Sequence, residues 1–448
     1  MNMNMRRWWG IGILAAGLSA GAAETIRVDT GDVIRTIEKS PLGINFNYMR
    51  DDDANTPDPD APRLRDVLKD MGVKWVRYPG GEKSDHHRFA LPPYDKPAPV
   101  VKGTRHGEYT NELEGYDLFD FDEFVEAARE MDAEPIVVVA YDSVEFSRTE
   151  LDEFIEHAVA WVRYANITKK YNIRYWEIGN ENWHPKSKNP MGKRSRDILK
   201  IAKAMRAVDP SIKLGSSGVD GNIVGDVLDF VTYSNYAGMT IDKYRKAAKP
   251  VFSRLWKNVP HLQNMPLAGK EIFAVEFNAV EFTEPQAWNH DVTHCIELFD
   301  MMGQILSDAR IDCAMIWGTR WMEEDHSAYI WYTIDQNNAL TPIGYIYSMW
   351  SKNLKPNMVQ ATGPEQTRCF AMHDPKTGEL SVMVVNQSEE AQTVQIDSGK
   401  SFKTAKHQVF SGKNPDDIWG TLTEKSSKVG KGTEFVLPPA SANVITFR

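Results

Sequence analysis

The chain has 448 residues, 42% hydrophobic and 25% charged, a globular composition that excludes a disordered protein and leaves room for one large domain plus a smaller one. Its formal net charge of -10 argues against nucleic acid or an anionic membrane surface as partner. Cys295, Cys313 and Cys369 are odd in number and lack metal-ligand spacing, so isolated buried thiols are expected rather than a disulfide framework.

In chain order, Arg6 and Arg7, the uncharged stretch 8–18 and Ala20-Gly21-Ala22-Ala23 before Glu24 read as a secretory signal peptide over residues 1–23. An exported protein, periplasmic or extracellular, is expected. The apolar run is too short to cross a bilayer and no later one approaches a spanning length, so membrane insertion is not expected. Residues 25–29 and 33–37 look like two short edge strands. From Leu42 onward, short apolar strands alternate with amphipathic helices, the pattern of parallel β/α units. The strands fall at 42–47, 73–78, 135–140, 176–181, 212–215, 227–233, 271–277 and 311–317. Together they predict an α/β chain with a (β/α)8 TIM barrel over residues 41–355. Beyond Pro356 the texture changes to alternating strands such as 380–386 and 442–447. These predict an accessory all-β sandwich over residues 356–448, joined by strands from residues 24–40.

Two barrel strands end on glutamates: Trp176-Glu177-Ile178-Gly179-Asn180-Glu181 on strand four and Ala274-Val275-Glu276-Phe277-Asn278 on strand seven. The active site of such a barrel lies at the carboxyl ends of its strands. Cleavage of a glycosidic bond needs two carboxyls at fixed separation, one to protonate the leaving oxygen and one to attack the anomeric carbon or activate water. Glu177 shares the first motif; on a regular strand it faces the same side as residues 179 and 181, one or two layers below the site. It is expected to be a buried partner for Arg77 or another base. Trp183, His184, Trp317, Trp321, Tyr329 and Trp331 fall in loops after strands four and eight, where flat rings can stack on sugar faces. Asp85, His86 and His87 are of metal-ligand type, but three adjacent side chains rarely converge on one ion, so neither a metal nor another cofactor is expected.

These segments, with Arg77-Tyr78-Pro79-Gly80-Gly81, residues 208–214, Trp317 closing strand eight and Leu437-Pro438-Pro439 before the last strand, resemble the clan A retaining glycoside hydrolases. In arrangement the chain is most similar to the family 51 arabinofuranosidases and family 39 glycosidases. The resemblance implies Glu181 as general acid/base and Glu276 as nucleophile, with carboxyls about 5–5.5 Å apart for retention through a glycosyl-enzyme intermediate. It further implies that Asn180 binds the hydroxyl next to the anomeric carbon, that Arg77 sits beside Glu276, and that Tyr236 hydrogen-bonds the nucleophile. Trp317 is expected in the subsite of the sugar being cleaved.

The implied activity is arabinofuranosidase-like hydrolysis of plant or algal polysaccharides or oligosaccharides. An endo-acting galactanase of the agarase or carrageenase type is the alternative, and a noncatalytic carbohydrate-binding protein on a hydrolase fold is a second. Three departures bear on the substrate. Glu82 follows Pro79-Gly80-Gly81 where family 51 has Asn, Asn45 and Asn47 stand where its first strand commonly brings a Glu, and residues 233–236 lack its His. Nothing in the sequence fixes the oligomeric state.

Overall fold

The computed structural model describes residues 23–101, 115–141, 149–183, 189–247, 267–280, 291–320, 332–417 and 419–448; residues 1–22 of the expected leader lie outside them. Among the described residues no helix is long and apolar enough to cross a membrane. The three cysteines are unpaired.

Eight parallel strands close into a barrel in chain order: Leu42–Asn45, Trp75–Tyr78, Glu134–Val139, Tyr175–Ile178, Lys213–Ser216, Phe230–Tyr236, Glu271–Asn278 and Cys313–Ile316. The eighth pairs back to the first, with Ala314 opposite Leu42. Strand six starts three residues later than the sequence suggests, because the Val227 and Leu228 amides both donate to the Val224 carbonyl in a turn, at 3.0 and 3.1 Å. The strand therefore runs on to Tyr236. The connecting helices Phe121–Met131 and Leu151–Val162 are amphipathic, as their spacing predicts. In Leu151–Val162, for example, Phe154, Ala158, Trp161 and Val162 are buried on one stripe.

Side chains alternate along each strand between the barrel axis and the helix layer. At the amino-terminal end, Trp75, Tyr175, Phe230, Phe273 and Met315 plug the axis with Ile136, Val275 and Cys313. The rings meet edge-on or stacked, as with Phe230 on Phe273 at 4.7 Å and Trp75 against Tyr175 at 5.3 Å. Two residues further along, the same parity brings Arg77 and Glu177 onto the axis directly above this apolar plug. The next inward residue of strand seven would be Phe277, not Glu276. A β-bulge changes this: Ala274 and Glu276 lie opposite the consecutive residues Tyr233 and Ser234, so Val275 is the extra residue. Phe277 joins the outer core, and Glu276 turns inward.

The second unit is one continuous sheet of nine strands, in the order Thr421–Lys428, Thr404–Ser411, Ser441–Phe447, Leu380–Asn386, Thr367–His373, Asn357–Thr362, Glu24–Thr36, Gln392–Asp397 and Glu434–Leu437. It curls over its own apolar face. Phe435 of the last strand meets Phe447 edge-on at 5.7 Å, although five strands lie between theirs. In place of two edge strands, Glu24–Thr36 is a single 13-residue strand inside the sheet, antiparallel to Asn357–Thr362 and parallel to Gln392–Asp397. Its register shifts between Asp29 and Val33, where the sequence pattern breaks. The outer face of the sheet lies on the helices after strands seven and eight. There Phe370 meets Trp350 at 5.6 Å, Arg368 pairs with Asp300 at 3.1 Å, and Asn353 bonds both Gln408 and Thr446 at 2.9 Å.

Candidate active site

Arg77 is the hub from which the site is built. Its Nε donates to Glu177 Oε2 at 2.8 Å, and its Nη1 donates to Asn45 Oδ1 at 3.0 Å and Glu276 Oε1 at 3.1 Å. Nη2 donates to Asn180 Oδ1 at 2.9 Å. Burial opposes the positive charge, but Glu177 and Glu276 more than offset it and raise the guanidinium pKa further. Asn45 Nδ2 in turn donates to the Val275 carbonyl at 2.7 Å and to the Ile316 carbonyl at 3.2 Å, tying strands one, seven and eight to the hub. The other oxygen of Glu276, Oε2, accepts from the Tyr236 hydroxyl at 2.7 Å. Burial and the neighbouring carboxylates hold that phenol far above its usual pKa, so it is a fixed donor.

Glu181 is delivered differently. Strand four stops at Ile178, and the chain turns through Gly179 at φ 77 and Glu181 at φ 44. A left-handed conformation at a non-glycine residue costs roughly 1–3 kcal/mol and persists only where neighbours over-determine it. Asn182 does so here: its backbone amide bonds Ser217 Oγ at 3.1 Å, and its side-chain amide bonds the Ile178 carbonyl and Ser216 Oγ at 2.9 and 3.0 Å. The alternation expected through residues 177, 179 and 181 thus ends at Ile178, and Glu177 alone of the two glutamates in that motif points down the barrel axis.

Glu181 and Glu276 line one cavity of about 300 Å³, together with Glu82, Lys83, Tyr236, Trp317 and Tyr332. Burial raises both carboxyls, but unequally. For Glu276, Arg77 and Tyr236 pull the pKa part of the way back. Glu181 is pushed up to about 8 by burial and then by the Glu276 charge, with Glu82 adding to the rise. Ser234 and Arg77 offset only part of it. At neutral pH the proton of the pair therefore resides on Glu181, while Glu276 has the cation and the phenol that favour its ionised form.

The structure brings Arg77, Asn180, Glu181, Tyr236, Glu276 and Trp317 together. Trp183 sits on the turn after strand four with its backbone against Gly218, and is not among the cavity-lining residues. His184, Trp321, Tyr329 and Trp331 lie outside the described residues. His86 and His87 are buried beside the barrel, where His87 meets the Tyr48 ring edge-on at 4.7 Å and its Nε2 lies 3.2 Å from the Tyr78 hydroxyl. Burial holds its pKa well below the usual histidine value. Sequence reasoning missed Tyr332 and the pocket placement of Glu82 and Lys83. Tyr332 belongs to an aromatic run after strand eight, and nothing in the sequence says which of those rings turns inward.

The two glycines before Glu82 permit this wall. Gly80 has φ 97, and a Cβ there would collide with the Phe46 carbonyl. Gly81 has φ 45, and its Cβ would overlap the Trp317 ring and come within 3.0 Å of Glu276 Oε1. Gly81→Ala is expected to destabilise the fold by about 1–2 kcal/mol for the left-handed backbone. It should also displace Trp317 or Glu276 and so reshape the cavity. Thermal melting checks the first and a crystal structure of the variant the second; Trp317 and Glu276 left in place would contradict the assigned close approach.

Residues 67–249 match the sequence family described as the alpha-L-arabinofuranosidase 1 domain. A probable alpha-L-arabinofuranosidase C of Aspergillus niger is 31% identical over 180 residues, which is 36% of this chain and 33% of that protein. The alpha-L-arabinofuranosidase C of Emericella nidulans is 29% identical over 175 residues. The chain thus spans about a third of the length of the curated relatives it matches. Over nearly its whole length it has the fold of solved arabinofuranosidases. That of Thermotoga maritima superposes with a TM-score of 0.72 at 17% identity, covering 95% of this chain and 99% of the other. The family 51 enzyme of Thermotoga petrophila gives 0.72 at 18% over 95% and 100%. A monomeric beta-xylosidase of Caulobacter crescentus gives 0.61 at 13% over 95% and 99%.

Proposed function

We propose that this chain is an exported retaining glycoside hydrolase of clan A, arabinofuranosidase-like, acting on plant or algal polysaccharides or their fragments. The observation that carries the reading is the shared cavity of Glu181 and Glu276, in which one carboxyl holds a proton and the other faces a cation and a phenol. In the first step a Glu276 oxygen attacks the anomeric carbon, and Glu181 gives its proton to the departing oxygen. Esterified Glu276 no longer carries the charge that raised the Glu181 pKa, so Glu181 can then take a proton from water. Asn180, held through its carbonyl oxygen by Arg77, donates to the hydroxyl next to the anomeric carbon. Trp317 and Tyr332 stack against the sugar. The galactanase alternative keeps its interest because Glu82 and Lys83 put two charged side chains into the cavity wall.

The test is a panel of arabinan, arabinoxylan, agarose and carrageenan, with products separated by size and the anomeric configuration of the first product read by NMR. Retention with one or more of these glycans is expected; absence of cleavage throughout, or an inverted first product, sinks the reading. The pH profile follows from the raised carboxyls. Because Glu181 must be protonated to act as acid, kcat/KM is expected to fall as pH rises through about 8. On the acid side, activity is lost as Glu276 takes up a proton, at a pH above the ordinary glutamate value because burial raises it. In Glu181→Gln the limb near pH 8 should disappear.

A further inference from the structure

Arg77 stands between two buried carboxylates, and the proposed reaction neutralises only one of them. It donates to Glu177 at 2.8 Å and to Glu276 at 3.1 Å, and neither Arg77 nor Glu177 has any solvent exposure. The second oxygen of Glu177, Oε1, is buried without a hydrogen-bond partner among the described residues. An ion pair on a barrel axis is often no more stable than well-packed apolar residues of the same volume. The position therefore needs a reason that depends on charge rather than on filling space.

We propose that Glu177 is a positioning residue that holds the charge of Arg77 while Glu276 is esterified, so that the guanidinium keeps a directly bonded carboxylate at the glycosyl-enzyme stage. The inference rests on the glycosidase reading above. In the first step the Glu276 oxygen forms its bond to the anomeric carbon with its own electron pair. The glycosidic C–O bond breaks, and the leaving oxygen takes the Glu181 proton. Glu276 becomes a neutral ester, Glu181 becomes a carboxylate, and Arg77 keeps its positive charge. Beside Glu177 that charge keeps a carboxylate at 2.8 Å; without Glu177 the negative charge moves from the 3.1 Å contact at Glu276 to Glu181, which makes no ion pair with Arg77 among the described residues. In the second step water gives a proton to Glu181, its oxygen bonds the anomeric carbon, and Glu276 departs as a carboxylate with the bonding pair. A guanidinium without that partner opposes the first step, in which the carboxylate it contacts at Glu276 is consumed, and favours the second, in which that carboxylate is regenerated. Loss of the Glu177 charge therefore shifts the two half-reactions in opposite directions, which loss of packing does not.

Glu177→Gln keeps the size of the side chain and removes its charge. With 4-nitrophenyl α-L-arabinofuranoside, or another aryl glycoside that the wild type cleaves, kcat/KM reports the first step and is expected to fall on the order of 10- to 100-fold. Hydrolysis of the glycosyl-enzyme, followed by stopped flow, should be unchanged or faster, so that no burst of nitrophenol accumulates. Glu177→Asp, which keeps the charge, should recover most of kcat/KM. If the Gln variant does not fold, Glu177→Asp and Glu177→Asn offer the same comparison at equal size. Equal losses in both steps, or an Asp variant no better than its amide, overturn the proposal while leaving the glycosidase reading in place. A wild type that cleaves no glycoside sinks that reading and this one with it.

Discussion

Glu276→Ala is expected to lower kcat/KM by on the order of 10⁴-fold or more on whatever glycan the wild type cleaves, with the fold intact. The fold survives because Arg77 keeps its 2.8 Å bond to Glu177, so removal of Glu276 strands no cation. The space left beside Arg77 and Tyr236 can admit a small anion. Added azide should therefore restore turnover of an activated aryl glycoside and give a glycosyl azide of inverted configuration. Glu181→Ala, which in the proposed mechanism loses the acid but keeps the nucleophile, should give the azide with retained configuration. Residual activity within tenfold of wild type in Glu276→Ala would remove it from the role of nucleophile.

Arg77→Met is the substitution expected to damage stability most. It leaves Glu177 and Glu276 buried without their shared cation, and breaking a buried ion pair from one side costs about 3–5 kcal/mol. A fall in melting temperature of roughly 5 °C is expected at neutral pH. The pH dependence has a definite sign. The Glu276 pKa is already raised in the folded protein and rises further without Arg77. A raised carboxyl contributes stability that is full below its unfolded value of about 4.3 and is lost as pH rises through the folded value. The deficit of the variant against wild type should therefore grow from pH 4 to pH 7. Melting curves over that range check it, and a constant deficit would show that Arg77 matters for packing rather than charge.

Much of the barrel is legible in the sequence because each of its strands and helices carries its own pattern. Strands 134–139 and 175–178 are short apolar runs, and the helix after strand three shows a stripe at helical spacing, signals that need no partner to be read. The long strand Glu24–Thr36 is harder: its break in pattern at residues 29–33 reads as a strand end, whereas the structure makes it a register shift within a sheet whose neighbours come from residues 357–362 and 392–397. Strand six slips for a similar reason, since whether Val227 and Leu228 extend or turn depends on the Val224 carbonyl.

The sequence by itself determined that two glutamates end two strands of a parallel barrel, that Arg77 and Tyr236 are candidates to attend them, and that Glu177 belongs on the barrel axis. The first and last follow from strand counting and period-2 alternation, which are local properties; the roles of Arg77 and Tyr236 are what the resemblance to clan A glycoside hydrolases implies. Only the tertiary structure decided that Glu276 faces inward at all, because simple alternation points it outward and a bulge against strand six reverses it. Only the fold decided that Glu181 reaches the same cavity from a left-handed turn pinned by Asn182. The division of one proton between the two carboxyls, which the resemblance implies through their roles, has its physical cause only in the fold. It depends on burial, on a cation from strand two and on a phenol from strand six, distances that exist only once the barrel has closed.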